Sequence, residues 1–264
     1  MTLLTAAHRR AWDERGVVVL RDALDRETVE DVTTWAGEVE AWSTGADGPG
    51  MHHFEATDGG VRVARSEDFD PHHRPLSDFV RRGLIADVLA ELLGEPAVLF
   101  KEKINYKHPG GGGFAPHQDA TAYRFVDRHV SVMVPIDAAT TANGCLWFAD
   151  EHVDRVLPHD AGRIDHLWVE AATWVPVEVD PGDLVVFDSL APHRSDTNDT
   201  DRSRRAMYLT YNAASAGDLR DRYYADKRAT FASTGPTGSS GNVLLSINDD
   251  FLGRPVAAPG GERP

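Results

Sequence analysis

Short stretches of alternating apolar and polar residues, separated by turns, constrain the fold of this chain more than any other feature. In residues 175–188 an alternating segment meets the turn Asp-Pro-Gly-Asp (180–183) and continues as an apolar run. Alternation with a period of two indicates a half-buried strand, and the turn joins it to the next strand. Similar strands are predicted at residues 97–107, 128–136, 145–148 and 205–212. The predicted class is mainly β with flanking helices, in an antiparallel double-stranded β-helix (a cupin-like jelly roll).

Helices are predicted before and after these strands in the chain, and they are expected to pack on one side of the jelly roll. Apolar residues recur at helical spacing in residues 4–15, 25–42 and 76–93, and a charged helix is predicted at residues 218–228. Asp25 is suited to cap the second helix. A strand at 16–20 and a paired segment at 51–55 and 60–65 lie among the first helices. The expected organisation is one domain over residues 1–264, with a helical lead-in over about 1–95, a jelly-roll core over about 97–231 and a mobile tail over about 254–264.

A His-x-Asp pair is the first sign of chemistry. His117 and Asp119 are two residues apart in a segment that reads as a strand, so their side chains share a face. Together they supply two of the three ligands of a 2-His-1-carboxylate triad, which leaves coordination positions open on non-heme Fe(II). By itself, such a pair is also common on a protein surface, so a third ligand is needed.

Two further residues strengthen this interpretation. His193 follows the apolar strand that ends at Asp188, at a point from which its ring could face the first pair. Arg204 comes eleven residues later and opens the next alternating segment. A guanidinium binds a carboxylate through two hydrogen bonds, so an arginine near an open iron site suits a dicarboxylate cosubstrate.

The ordered set of motifs resembles the phytanoyl-CoA dioxygenase family of Fe(II)- and 2-oxoglutarate-dependent oxygenases. The match extends over residues 99–231 and includes Lys-Ile-Asn-Tyr-Lys (103–107), Pro-His-Gln-Asp (116–119), Asn-Gly-Cys-Leu (143–146) and Pro-Gly-Asp (181–183). The resemblance implies that His117, Asp119 and His193 bind iron, that Arg204 holds the far carboxylate of 2-oxoglutarate, and that Asn105 contacts this cosubstrate. O2 is the second cosubstrate that it implies.

The resemblance also implies a reaction. Similarity to bacterial relatives suggests hydroxylation of a small polar molecule, such as an aminophosphonate or a quaternary amine, with release of succinate and CO2. Asp119 favours hydroxylation, because related halogenases have a small residue in its place. Three alternatives stay open: a natural-product tailoring oxygenase of the same family, a non-redox metal-binding jelly roll, and a ligand-binding or sensing protein without turnover. The substrate and the oligomeric state are left open.

Several other residues have two interpretations. Lys101 and Lys103 alternate on the same face of the predicted strand as Leu99 and Asn105, where they could line a polar pocket, but solvated lysines are favoured. His52 and His53 point to opposite faces if the segment is extended, so at most one could line the substrate pocket, and structural roles are favoured. His152 lies where many relatives have the turn Pro-Gly-Ser-His, and a solvated histidine is favoured there.

The composition limits the kinds of binding partner and the cellular location that are expected. A net charge of −15 disfavours binding of nucleic acid or of an anionic membrane through a basic surface. Cys145 is the sole cysteine, which excludes an intramolecular disulfide and fits a reducing cytosol; its apolar setting predicts a core thiol. The N-terminus lacks an apolar signal region, and no window approaches transmembrane length. A cytoplasmic protein with small-molecule partners is expected.

Overall fold

Two antiparallel sheets form the centre of the computed structural model, which describes residues 3–42, 44, 48–123, 125–234 and 245–256, with the backbone alone at 230–234. The strands are β1 (Val17–Leu20), β2 (Met51–Thr57), β3 (Gly60–Glu67), β4 (Ala97–Lys107), β5 (Phe114–His117), β6 (Val130–Pro135), β7 (Leu146–Ala149), β8 (His159–Asp160), β9 (Arg163–Ile164), β10 (Trp174–Val177), β11 (Leu184–Asp188), β12 (His193–Ser195), β13 (Arg204–Ala213) and β14 (Pro255–Val256). The helices are α1 (Ala6–Arg15), α2 (Arg26–Glu40), α3 (Arg74–Arg81), α4 (Leu84–Leu93), α5 (His166–Ala171) and α6 (Arg220–Thr234).

The order of the strands is that of a double-sheet jelly roll. The larger sheet has the order β1-β11-β6-β13-β4-β3-β2-β14, and the smaller has the order β10-β7-β12-β5-β9-β8. Apolar side chains from both sheets pack together, among them Met133, Phe187 and Ala206 from the larger sheet and Leu146 and Phe148 from the smaller. The predicted fold class is confirmed.

Helices α2, α3 and α4 cover the other face of the larger sheet. Their buried residues, such as Val32, Leu76 and Leu89, share one core with Ile104 and Leu209 from the sheet. The prediction of one continuous helix over residues 76–93 was wrong. Arg82 is extended, and Gly83 has φ of +67°, a conformation that glycine adopts without steric cost, so the chain stops and restarts there as two helices.

A bulge in β4 changes which side chains face the interior of the jelly roll. Lys101 pairs with Thr210 and Leu99 pairs with Tyr211, so Phe100 has no opposite residue in β13. The extra residue reverses the alternation. The predicted common face was therefore wrong for Leu99, which packs in the core under the helices, whereas Phe100 packs against Tyr123.

The described C-terminal segment, residues 245–256, runs antiparallel to the start of β5 in the smaller sheet. The backbone N–H of Ala115 donates to the carbonyl of Asp250 (2.8 Å), and that of Leu252 donates to the carbonyl of Gly113 (2.9 Å). β14 then pairs with β2, so the first residues of the predicted mobile tail form a strand at the sheet edge. From their Gly- and Ser-rich sequence, residues 235–241 are predicted to form a loop; they and the rest of the predicted tail, 257–264, lie outside the described residues.

Candidate active site

Two histidines and an aspartate meet inside the jelly roll. His117 ends β5 and His193 begins β12, and the two residues are directly opposite each other in the smaller sheet. Their ring centroids are 4.2 Å apart, and His117 Nε2 lies 3.9 Å from Asp119 Oδ1. One ligand atom from each of the three lies within 4.8 Å of the other two. Two imidazole nitrogens and one carboxylate oxygen are the donor set that suits Fe(II), so these residues fit the metal that the sequence implies.

Backbone carbonyls fix which nitrogen of each histidine is available to a metal. His117 Nδ1 is 2.7 Å from the carbonyl of Ala115, and His193 Nδ1 is 3.0 Å from the carbonyl of Ala191. A ring nitrogen beside a carbonyl oxygen must carry the proton, which leaves the lone pair on Nε2. Burial and the neighbouring His117 lower the pKa of His193 to about 4, so its ring is neutral near pH 7. Both rings are thus held in the tautomer that binds a metal through Nε2.

Asp119 reaches the histidines from a turn. The prediction that it shares a strand with His117 was wrong, because β5 ends at His117 and Asp119 begins a 3-10 turn. The Ser131 hydroxyl donates to Asp119 Oδ2 at 3.0 Å, and Oδ1 is the oxygen nearer His117. Burial alone would raise the pKa of Asp119, but the neighbouring His193, His117 and Lys103 lower the pKa below its usual value. The group is therefore a carboxylate at neutral pH.

Gln118, between the candidate ligands His117 and Asp119 in sequence, is fully buried and holds this turn in place. Its Nε2 donates to the carbonyls of Arg155 (3.0 Å) and Leu190 (2.6 Å), and its Oε1 accepts from the backbone N–H of Leu157 (2.7 Å). These bonds tie the segment that carries two ligands to two neighbouring loops. A requirement for glutamine at this position was missed from the sequence, because nothing local marks it.

Replacing Gln118 with methionine keeps the volume of the side chain but leaves these three backbone groups without their partner. Each unpaired buried polar group costs on the order of 1 to 3 kcal/mol. We expect the free energy of unfolding, measured by urea denaturation, to fall by at least about that amount. Arg155→Ala is the matched control: it keeps the carbonyl that accepts from Gln118 and removes a side chain that is 74% exposed. Equal stability of the Gln118→Met protein and the wild type would contradict this role.

A second group of residues, at the end of β4 and the start of β13, is cationic. Arg204 and Lys107 are opposite each other and both are buried. Arg204 Nη2 donates to the carbonyl of Gly144 (2.6 Å), while its buried Nε has no hydrogen-bond partner among the described residues. Lys107 Nζ donates to Ser195 Oγ (3.0 Å) and to the carbonyls of Gly144 and Asp196. Burial, and repulsion from Arg204, lower the pKa of Lys107 well below its usual value.

Neighbouring arginines have different surroundings. Arg205 faces the opposite way from Arg204 and forms a bidentate ion pair with Asp137, at 2.9 and 3.1 Å. Arg202 is exposed. In the described part of the chain, no ion pair joins a carboxylate to Arg204 or Lys107 within 4.0 Å. Two buried cations without a carboxylate therefore offer a site for an anionic group.

Asn105 lines the same cavity and lies on β4, two residues before Lys107 and two after Lys103. Its Oδ1 accepts from Arg65 Nε at 2.9 Å. With the oxygen so engaged, the amide presents its N–H groups as donors. Arg65 is 1% exposed, and its Nη2 has no hydrogen-bond partner among the described residues.

The preference for solvated lysines at positions 101 and 103 was wrong. Both line the cavity with the three candidate metal ligands. Lys101 is 6% exposed, and its Nζ donates to the Tyr123 hydroxyl and lies 5.0 Å from the centre of that ring. Lys103 Nζ lies 5.2 Å from the centre of the Tyr208 ring. Burial lowers the pKa of Lys103 well below its usual value, and the charges of Lys101 and Arg65 lower the pKa further.

The other candidate residues lie away from this cavity. His52 is held by Ser66 Oγ (3.0 Å) and the carbonyl of Pro49 (3.1 Å), and His53 is buried with its pKa lowered to about 3, chiefly by burial. Neither lines the cavity. His152 is exposed in a turn, as favoured from the sequence. Cys145 is a buried free thiol with its pKa raised to about 11 by burial, which confirms a core thiol.

The chain is similar to known proteins of one family. The family model for phytanoyl-CoA dioxygenase (PhyH) matches residues 12–206. A methylphosphonate hydroxylase of Gimesia maris is 43% identical over 97% of this chain and 98% of its own length. A 2-aminoethylphosphonate dioxygenase of uncultured bacterium HF130_AEPn_1 is 40% identical over 88% of this chain and 90% of its own length.

Solved structures show the same fold. EctD from S. alaskensis with 2-oxoglutarate and 5-hydroxyectoine superposes with a TM-score of 0.68 over 96% of this chain and 86% of that one, at 21% identity. None of the helices in the described part of the chain has the length and apolar character that crossing a bilayer would need.

From the family model and the relatives, the chain belongs to the phytanoyl-CoA dioxygenase family and is a 2-oxoglutarate-dependent dioxygenase with Fe(II) as its cofactor.

Proposed function

We propose that this protein hydroxylates a small phosphonate, with iron bound by His117, Asp119 and His193. The names of the two similar relatives support the class of substrate. The observation that carries the proposal is the cationic lining of the cavity beside the three ligands, formed by Arg65, Lys101 and Lys103. Membership of the phytanoyl-CoA dioxygenase family counts against the alternatives of a non-redox metal-binding protein and of a sensing protein.

The site residues have separate tasks. His117 and His193 bind iron through Nε2, and Asp119 binds it through the carboxylate, which the Ser131 hydroxyl orients at Oδ2. Arg204 and Lys107 bind the far carboxylate of 2-oxoglutarate, and the unpaired Nε of Arg204 supports this assignment. The N–H groups of Asn105 are available to the cosubstrate along the same strand.

Iron bound by these residues would activate O2, with 2-oxoglutarate as the co-reductant. Overall, one C–H bond of the substrate becomes C–OH, and 2-oxoglutarate and O2 are converted to succinate and CO2, with the second oxygen atom in succinate. The protein keeps this reaction away from bulk water. Phe187 and Phe148 pack against His193, with ring centroids 5.0 and 5.6 Å from the imidazole. Apolar walls of this kind exclude water and strengthen the electrostatic contacts inside the site.

The cations fit a doubly charged head group. Glu67 is already engaged, since it forms an ion pair with Lys227 and lies 3.3 Å from Arg65 Nη1. Lys101 and Lys103 contact tyrosine rings and a hydroxyl, but none of the ion pairs within 4.0 Å in the described chain includes either one. Like charges buried together repel, and a phosphonate dianion relieves that repulsion while accepting several hydrogen bonds.

A panel of small anions tests the proposal. Succinate formation and O2 uptake are measured with Fe(II) and 2-oxoglutarate on methylphosphonate, 2-aminoethylphosphonate and 2-aminoethanesulfonate. The sulfonate matches the aminophosphonate in shape and carries one negative charge fewer on its head. We expect coupled turnover with at least one phosphonate and none with the sulfonate. Coupled turnover of the sulfonate alone would contradict the proposal.

Lys101→Met tests the head-group site. Loss of one cation from a buried pair costs on the order of 2 to 5 kcal/mol, which corresponds to more than about tenfold in affinity. We expect the KM for the phosphonate to rise by more than about tenfold, with little change in the half-saturating concentration of 2-oxoglutarate. Arg202→Met, which removes an exposed cation, should leave both values unchanged. Equal loss of phosphonate and 2-oxoglutarate binding in the Lys101→Met protein would show that Lys101 does not belong specifically to the site for the phosphonate head group.

The remaining expectations are part of the same proposal. The buried, unpaired Cys145 supports location in a reducing cytoplasm. Packing of the lead-in helices on the larger sheet supports one domain for the whole chain.

A further inference from the structure

A fourth acidic group, Asp250, lies at the metal site without belonging to the three-ligand group. Its Oδ2 is 3.5 Å from His117 Nε2, and the residue lines the same cavity. It is contributed by the C-terminal segment, which is held over the site by the backbone bond from Ala115 to Asp250. The group whose ligand atoms lie within 4.8 Å of one another consists of His117, Asp119 and His193 alone among the described residues.

One oxygen of the buried Asp250 carboxylate has no donor among the described residues. The residue is 4% exposed, and Oδ1 has no hydrogen-bond partner in the described part of the chain. The nearby His117 Nε2 lies 3.5 Å from the other oxygen, Oδ2, and is assigned to iron, so Oδ1 is left without a donor. A buried carboxylate that lacks donors costs free energy unless a ligand supplies them.

A cationic nitrogen with N–H donors fits this position. The cavity holds an unpaired carboxylate oxygen at Asp250, and a group of cations at Arg65, Lys101 and Lys103. A molecule with an anionic head and an ammonium group would satisfy both. Methylphosphonate has no group to offer Asp250, whereas an aminoalkylphosphonate does.

We propose that Asp250 binds the ammonium group of the substrate, so that the protein selects a zwitterionic aminoalkylphosphonate over a phosphonate without an amine. This inference rests on the proposed function and specifies its substrate class. Asp250 is accordingly a substrate-binding residue and not a fourth iron ligand.

The test compares two ligands of the same shape. Propylphosphonate has a methyl group where 2-aminoethylphosphonate has its ammonium. Their dissociation constants are measured calorimetrically on the anaerobic protein loaded with Fe(II) and 2-oxoglutarate. We expect the wild type to bind the aminophosphonate more than about tenfold more tightly, as is typical of a buried charge pair.

Asp250→Asn is the informative variant, because it keeps the shape and removes the charge. It should weaken binding of 2-aminoethylphosphonate by more than about tenfold, leave binding of propylphosphonate unchanged, and leave the affinity for Fe(II) unchanged. Asp249→Asn is the matched control: that side chain is 77% exposed and lies 3.5 Å from Arg163, and its loss should change none of these values.

Each other result overturns the assignment in a recognisable way. Equal weakening of both ligands would mean that Asp250 shapes the cavity, and a loss of Fe(II) affinity would make it a metal ligand. Equal binding of both ligands by the wild type would reject the ammonium site and leave the phosphonate proposal standing. Binding of neither phosphonate would reject both.

Discussion

Replacing His193 with alanine is expected to abolish turnover and to remove measurable Fe(II) binding at micromolar metal. The ring supplies one of three protein donors, and a metal held by the two that remain has an incomplete and misshapen cage. The same losses are expected for His117→Ala, and loss of hydroxylation is expected for Asp119→Gly, because each residue has one potential ligand atom in the group within 4.8 Å. Fe(II) binding is measured by anaerobic equilibrium dialysis, and turnover by succinate formation.

A matched control separates loss of the metal from loss of the fold. His152→Ala removes an exposed histidine from a turn and should keep both iron binding and turnover. Circular dichroism and urea denaturation show whether each variant is folded. A folded His193→Ala protein that turned over at the parental rate would refute the assignment of the distal ligand, and parental hydroxylation by Asp119→Gly would refute that of the carboxylate.

The elements that position the site could be predicted from alternation and turn chemistry. β4 has the bounds expected from a period-two pattern bordered by turns, and β13 extends the predicted range, 205–212, by one residue at each end. Alternation along β13 also places Arg204, which is buried, on the opposite face from Arg205, which pairs with Asp137. Such local patterns suffice because each of these strands has one face in the core.

Features that depend on long-range contacts could not be predicted in this way. The bulge at Phe100 arises from pairing with β13, more than a hundred residues later, and local alternation does not report it. Lys101 is covered in part by Tyr223 of α6, whose ring centre lies 5.6 Å from Lys101 Nζ. Asp250 reaches the site from a segment in which the sequence predicts no functional residue, and the role proposed for it rests on its place beside His117.

A protein carrying Arg204→Ala should require far more 2-oxoglutarate. Arg204 is 2% exposed and its Nε lacks a partner among the described residues, so the guanidinium is buried with part of its donor capacity unused. Removing one member of a buried charge pair costs on the order of 2 to 5 kcal/mol, which corresponds to well over tenfold in affinity. The half-saturating concentration of 2-oxoglutarate, titrated at saturating substrate, measures the effect.

Two variants of neighbouring arginines make this test specific. Arg202→Ala removes an exposed charge, and Arg205→Ala removes a half-buried partner of Asp137 that faces away from the cavity, so both should leave the half-saturating concentration nearly unchanged. Arg204→Lys should lie between the wild type and Arg204→Ala, because an ammonium keeps the charge but cannot bind a carboxylate in the bidentate geometry of a guanidinium. An unchanged half-saturating concentration in Arg204→Ala would reject Arg204 as the residue that holds the cosubstrate, and Lys107, its neighbour across the strand pair, would then be the cation to replace next.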